Sequence, residues 1–170
     1  MGKASDFIII EDTRNQIKKH EVKHRYWDKI GQKYIRSKLF VGDYSRLDNQ
    51  TVCIDTKKDL LEVANNICGK SHERFRNELI RAKENGIKLI VLIESDITRE
   101  SAWSWKSRYT QVTGATLMKA MMSMEERYGV EFIFCTKANA PKKIIELLEK
   151  WHGKRFHQNA GNYCDIMSVS

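Results

Sequence analysis

Leu39-Phe40-Val41-Gly42-Asp43-Tyr44 and, after a polar link, Thr51-Val52-Cys53-Ile54-Asp55-Thr56-Lys57 decide how this chain folds. Both segments are rich in residues that suit a pleated, half-buried surface. The pattern predicts a strand over 34–41, stopped by Gly42, and a second over 51–55. Asp48-Asn49 in the link suits the turn of an antiparallel hairpin. Upstream, Phe7 to Ile10 reads as a strand, and 16–30, free of Gly and Pro, as a helix. Downstream, Leu60, Leu61, Val63, Ala64 and Ile67 repeat at helical spacing, with Gly69 closing the helix and Ser71 capping the next as far as Asn85. Lys88 to Ile93 is continuously apolar, as a strand covered on both faces should be. A polar, Trp-bearing connection over 98–112 leads to a Met-rich helix over 114–128. A last strand over 130–135 and a helix from Pro141 to Trp151 follow. The order is β-α-β-β-α-α-β-α-β-α: an α/β domain with an early antiparallel hairpin and then parallel strands. Residues 1–152 form one domain. The tail, 153–170, has no clear pattern and is expected to be partly disordered.

The 170 residues suit one domain of ordinary size, and 41% hydrophobic residues are enough for its core. No apolar run is long enough for a signal peptide or a membrane span, so a cytoplasmic location without membrane contact is expected. A formal net charge of +8 favours polyanionic partners, because Lys and Arg release counterions when they meet phosphates. Cys53, Cys68, Cys135 and Cys164 form no Cys-x-x-Cys pair, which argues against a zinc ribbon. They read as reduced small hydrophobes.

The hairpin gathers chemistry. Residues two apart in a strand share a face, so Asp55 and Lys57 project together if the strand runs through Lys57. The turn brings Asp43 beside them. Two converging carboxylates repel unless a cation lies between them, and oxygen ligands select a hard ion such as Mg2+ or Mn2+. Such an ion lowers the pKa of bound water and neutralises charge on a phosphate, which a neighbouring lysine also stabilises. Asp43 with Asp55-x-Lys57 thus suffices for phosphodiester cleavage. The bland alternative is a solvated strand end leading into a helix, and Asp-x-Lys alone favours that alternative.

The context decides between them. The chain resembles the XPF-type structure-specific endonuclease domain, a branch of the PD-(D/E)xK superfamily, over about residues 7 to 150. Ile9-Ile10-Glu11-Asp12-Thr13-Arg14-Asn15-Gln16 is similar to that family's opening strand with its Asp-x-Arg-Glu motif. Leu39 to Tyr44 resembles its Gly-Asp-Tyr segment, and Ile54 to Leu60 stands where it has Glu-Arg-Lys and a helix. Lys88 to Glu94 resembles the hydrophobic strand that ends in Glu, and 114–117 and 130–135 fit the later helix and strand. The resemblance implies a restriction-endonuclease-like three-layer domain: a central mixed β-sheet with an N-terminal antiparallel hairpin and flanking helices. It implies a divalent-metal-dependent DNA endonuclease using Mg2+ or Mn2+. Asp43, Asp55 and the Thr56 carbonyl would ligate metal, Lys57 would be the catalytic lysine, and Asp12 would bind metal directly or through water. Glu11 takes that role if Asp12 points away. Arg14 would contact phosphate. Three departures stand out: Asp55 replaces Glu, Asn15 replaces the Glu after Arg14, and Leu61 stands where the family has Asp. With no helix-hairpin-helix module after it, the chain is similar to stand-alone bacterial or phage-like members, so flap or branched-DNA specificity does not follow. A catalytically inactive DNA-binding or partner-binding module on the same fold is the alternative. A degenerate member would have lost an acid or the lysine, and none is lost here.

Other residues are weighed against plainer readings. His72, Arg74 and Arg76, at a helix start, together with Lys58, are candidates for contact with the nucleic acid; a solvated helix face competes. Lys18-Lys19-His20, Lys23-His24-Arg25 and Lys33-Arg36-Lys38 form a basic stretch that suits a phosphate backbone or, equally, an exposed helix. Trp103 and Trp105, beside Lys106 and Arg108, suit base stacking, but anchoring of their loop into the core is favoured. Met118, Met121, Met122 and Met124, with Ile144, Leu147, Leu148 and Trp151, offer core or an apolar contact for a homodimer. His152, His157 and Cys164 are metal-ligating types at loose spacing, better read as a solvated tail.

Overall fold

A computed structural model of the chain describes residues 2–151, 155–156 and 165–166. Its strands are β1 (Ile9–Glu11), β2 (Tyr34–Arg36), β3 (Tyr44–Arg46), β4 (Val52–Lys57), β5 (Lys88–Glu94) and β6 (Glu131–Cys135), with the short pair β7 (Arg155–Phe156) and β8 (Asp165–Ile166) further on. The helices are α1 (Glu21–Ile30), α2 (Leu60–Cys68), α3 (His72–Glu84), α4 (Gly114–Tyr128) and α5 (Ala140–Lys150). The first six strands make one sheet in the order β2-β1-β3-β4-β5-β6. β1 runs antiparallel to β3, and β3 to β4, while β4, β5 and β6 are parallel. This is the expected mixed sheet with an early antiparallel hairpin.

Side-chain alternation splits the interior into two cores, one on each sheet face. Cys53, Leu89, Val91, Ile93 and Phe132 point toward α2, α3 and α4. Ile9, Tyr44, Val52, Ile54, Ile90 and Leu92 point toward α1 and α5. Helices on both faces of a sheet make three layers. Local signals set the helix ends. The Asp59 side chain accepts from the Glu62 N–H at 2.8 Å, and Glu62 Oε2 accepts from the Lys58 N–H at 2.8 Å, so two free donors at the start of α2 are satisfied. Thr113 caps α4 in the same way, and Pro141 lies in the first turn of α5.

Trp27 is fully buried, and its indole N–H donates to the Pro141 carbonyl at 3.0 Å, tying α1 to α5. Trp27→Phe should cost about 2 kcal/mol, since it removes that buried hydrogen bond and ring volume. A urea midpoint that falls with an unchanged slope is the expected result.

Two expectations are corrected. Of the strand expected over 34–41 only 34–36 forms one: β2 pairs parallel with β1, and the chain then leaves the sheet before re-entering it at Tyr44 as β3. Leu39 and Val41 are buried without belonging to a strand. The partner of β4 in the hairpin is therefore Tyr44–Arg46, and Asp43 precedes its strand rather than following one. The helix expected over 16–30 opens as a 3-10 turn over Ile17–His20. Met118, Met121, Met124, Ile144, Leu147, Leu148 and Trp151 are buried within the chain itself, as the core reading expects, while Met122 is 48% exposed. Trp105 packs against the core, as the anchoring reading expects, while Trp103 is 42% exposed. Among the described residues no helix is long and apolar enough to cross a membrane. His152, His157, Cys164 and most of the tail lie outside the described residues.

Candidate active site

Three aspartates come from three neighbouring strands. The Asp12 N–H donates to the Asp43 carbonyl at 2.8 Å, and the Asp43 N–H donates to the Ile54 carbonyl at 2.7 Å. These bonds fasten the end of β1, the start of β3 and the middle of β4 side by side. Asp12, Asp43, Asp55, Thr56 and Lys57 all line one cleft of about 340 Å³, with α2 and α3 forming its far wall. Strand β4 continues through Lys57, which places Asp55 and Lys57 on the α2–α3 face.

The acids differ in their engagement. Asp43 Oδ2 accepts from both the Thr56 N–H at 2.8 Å and the Thr56 hydroxyl at 2.6 Å. Asp12 accepts from the Leu39 N–H at 3.0 Å through Oδ1 and from Arg14 Nε at 2.6 Å through Oδ2. Asp55 is buried, and Lys57 Nζ lies 2.6 Å from its Oδ2. Burial pushes the Asp55 carboxyl up to about 7; Lys57 offsets this in part, while Asp43 and Glu78 add to it. Burial alone would lower the Lys57 ammonium, but Asp55 beside it holds it charged and above its ordinary value. Glu11 faces away from the cleft: it is buried on the α1 side against His24 Nε2 at 2.6 Å and Arg36 Nε at 3.2 Å. Period-two alternation explains this, since Glu11 shares the inward face of Ile9 while Asp12 turns to the other.

The structure separates the other candidates. Arg14 and Arg74 line the cleft. His72 and Arg76 lie in a different depression between α3 and α4, where His72 Nδ1 donates to the Ile67 carbonyl at 2.6 Å and Arg76 Nε approaches the Tyr128 hydroxyl at 3.4 Å. Lys58 borders a third cavity. Sequence reasoning sets Glu78 aside, as a residue on a different helix face from Arg76. Its Oε1 accepts from the Gly42 N–H at 3.0 Å, so α3 clasps the turn that carries Asp43. The signal was available: Arg74, Glu78 and Arg81 recur at helical spacing on one stripe, and all three line the cleft.

Can these residues hold a metal ion? Among the described residues no three His, Cys, Asp or Glu side chains gather closely enough to enclose one. The donor set is instead a carboxylate pair with main-chain carbonyls, all oxygen. That set fits a hard ion that keeps several of its own waters, as Mg2+ does. The mutually repelling Asp43 and buried Asp55 have the charge such an ion would balance.

A buried carboxylate with a raised pKa also destabilises the fold once it ionises. The folded state holds a proton on Asp55 that the unfolded chain has lost between pH 4 and 7, so its stabilising contribution is complete at low pH and is lost as pH rises through about 7. The whole shift corresponds to about 4 kcal/mol. Asp55→Asn leaves Lys57 unpaired, so a net gain of about 1–2 kcal/mol at pH 8 without divalent ions is expected, shrinking toward pH 4.5. Thermal melts of both proteins at the two pH values check this; equal midpoints at pH 8 would contradict it.

A three-layer mixed sheet with two acids and a lysine at its hairpin end defines the α/β nuclease-fold class. The sequence model of the ERCC4 domain matches residues 11–148, and the chain belongs to the ERCC4 domain family. Among solved structures it is similar to XPF from Aeropyrum pernix, with a TM-score of 0.64 and 16% identity over 84% of this chain and 64% of that one. It is similar also to XPF from Aeropyrum pernix in complex with DNA, with a TM-score of 0.61 and 16% identity over 85% of this chain and 66% of that one. The chain thus spans just under two thirds of each solved chain, and at this identity the likeness shows the fold. A comparison with curated protein sequences found no match.

Proposed function

We propose that the chain is a divalent-metal-dependent DNA endonuclease that hydrolyses phosphodiester bonds, branched or flap DNA being among its candidate substrates. The observation that carries the reading is the convergence of Asp43, Asp55 and Lys57 in one cleft of a chain that belongs to the ERCC4 domain family. Asp43, Asp55 and the Thr56 carbonyl would hold Mg2+ or Mn2+. Asp12, whose oxygens already accept from Leu39 and Arg14, would act through water. When bound, the ion supplies Lewis acidity that activates water and offsets phosphoryl charge. Lys57 brings a held proton and a positive charge to the largely buried floor of the cleft, where each counts for more than in bulk water. Once Asp55 has another counter-charge, the Lys57 ammonium is free to donate to a phosphate oxygen. Arg14 and Arg74 stand on the cleft rim, where they would position the strand.

Incubating the pure protein with single-stranded, duplex, flap and fork DNA in Mg2+ or Mn2+ tests the proposal. Cleavage of at least one substrate, abolished by chelation, is the expected result; none on any substrate in either ion overturns it. The salt bridge between Lys57 and Asp55 favours one second reading, an inactive DNA-binding or partner-binding module, because it leaves the acid already neutralised. Calorimetric titration with Mn2+ discriminates: the endonuclease binds the ion, and the module does not.

A further inference from the structure

Beside the active cleft, at the ends of β4, β5 and β6, lies a second cavity of about 260 Å³. The two share Lys19 and Thr56. Lys18, Lys19, Lys23, Lys58 and Lys137 line it, against a single acid, Glu94. That acid is already matched, because Lys23 Nζ lies 2.5 Å from its Oε1 and both side chains are buried. The other four lysines are exposed, and among the described residues none lies within ion-pair distance of a carboxylate. Four ammonium groups around one cavity repel one another unless an anion enters it.

A second observation concerns His20, a lining residue that is 1% exposed. Its Nδ1 meets the Tyr44 hydroxyl. The two atoms share one hydrogen bond, which occupies that edge of the ring. The other ring nitrogen is Nε2, and a neutral imidazole with its proton there presents a donor. Nε2 is buried and has no hydrogen-bond partner. Buried polar atoms are rarely left unmatched in folded proteins. With the Nδ1 edge occupied by Tyr44, Nε2 is the edge His20 offers to the lysine-lined cavity.

We propose that this cavity is a phosphate-binding subsite, in which His20 Nε2 and Lys18, Lys19, Lys58 and Lys137 donate to a phosphate of the nucleic-acid strand whose scissile group occupies the neighbouring cleft. The subsite rests on the nuclease reading for its ligand. Its size lies below that of pockets that enclose drug-sized molecules and suits one phosphate with its waters. Thr56, common to both cavities, sets the path: a strand crossing it presents successive phosphates to Lys57 on one side and to the lysines on the other.

The test uses the full chain with 15N-labelled histidine, titrated with inorganic phosphate and, as control, chloride at equal ionic strength. The expected result is a protonated Nε2 whose resonance shifts saturably with phosphate only, and a Lys18→Gln/Lys137→Gln double variant that loses the response. The same double variant should weaken binding of a short single strand about tenfold and lower the salt slope by about 1. Equal weakening with a 5′-phosphate or a 5′-hydroxyl assigns the subsite to a backbone phosphate; weakening confined to the phosphorylated strand assigns it to a terminal one. A proton on Nδ1, no response to phosphate, or unchanged DNA affinity each overturns the proposal. Cleavage by a parent protein that shows no phosphate response refutes the subsite alone, whereas a phosphate response without cleavage on any substrate refutes the nuclease reading and leaves an anion site.

Discussion

Asp55→Asn and Lys57→Met should each lower DNA cleavage in Mg2+ or Mn2+ by at least about a thousandfold, equivalent to about 4 kcal/mol of transition-state stabilisation. Both substitutions keep the shape of the side chain. Asp55 is buried, so a truncation to Ala would add a cavity to the chemical change. The loss should appear in turnover and not in affinity, because DNA is held by exposed cations at the rim, such as Arg14 and Arg74, while Asp55 and Lys57 lie on the floor. A dissociation constant within about threefold of the parent is therefore expected. Asp43→Asn belongs to the same set. An amide oxygen still accepts from the Thr56 N–H and hydroxyl, so the turn keeps its shape while the charge is gone. If all three variants cut as fast as the parent, the chemistry lies elsewhere. The sign of the stability change separates this account from simple unfolding. Asp55→Asn is expected to inactivate and stabilise together, which damage to the fold does not do.

Much of this site could be read along the chain because its parts are local. Asp55 and Lys57 share one strand and one face, and Asp43 lies one turn away. The choice between Glu11 and Asp12 was also latent in the period of two, which gives Ile9 and Glu11 one face and Asp12 the other. What escaped depends on tertiary structure. Leu39 and Val41 alternate as in a strand and are buried as in a strand, yet that segment forms no ladder. The Leu39 N–H goes to the Asp12 side chain instead, a side-chain acceptor substituting for a strand partner. No local pattern distinguishes the two uses of the same donor. Glu78 escaped because its role exists only when α3 lies over the turn at Gly42. The face was nonetheless knowable: Arg74, Glu78 and Arg81 form one stripe, while His72 and Arg76 form another that faces α4. Grouping residues by proximity in the sequence, rather than by helical phase, put His72 and Arg76 beside Arg74. Chain order also hid the link between the basic stretch and the cleft, since Lys18 and Lys137 meet only through the sheet.

Gly42→Ala should cost about 3 kcal/mol of stability and at least about a hundredfold in cleavage, although residue 42 supplies no side chain to the site. Gly42 has φ of 75°, in the left-handed region where a β-carbon costs about 1–2 kcal/mol. The remainder comes from contact. An added β-carbon would lie 3.0 Å from the Ile54 carbonyl oxygen and 3.2 Å from Cys53 Cβ. Ile54 is in the middle of β4, paired on both sides, so that carbonyl has little freedom to yield. The turn must move instead, and two bonds move with it: the Gly42 N–H to Glu78 Oε1 and the Asp43 N–H to the same Ile54 carbonyl. Asp43 is thereby displaced from Thr56, and a displacement near 1 Å is enough for a hundredfold loss of rate. Gly42→Asn separates the two causes. Asn tolerates positive φ but carries the same β-carbon, so it should recover the dihedral part of the stability and little of the activity. Urea denaturation and turnover, measured where both variants are fully folded, check the pair. Full activity in Gly42→Asn would show that backbone conformation alone sets Asp43 in place, and that the close approach to Ile54 does not matter.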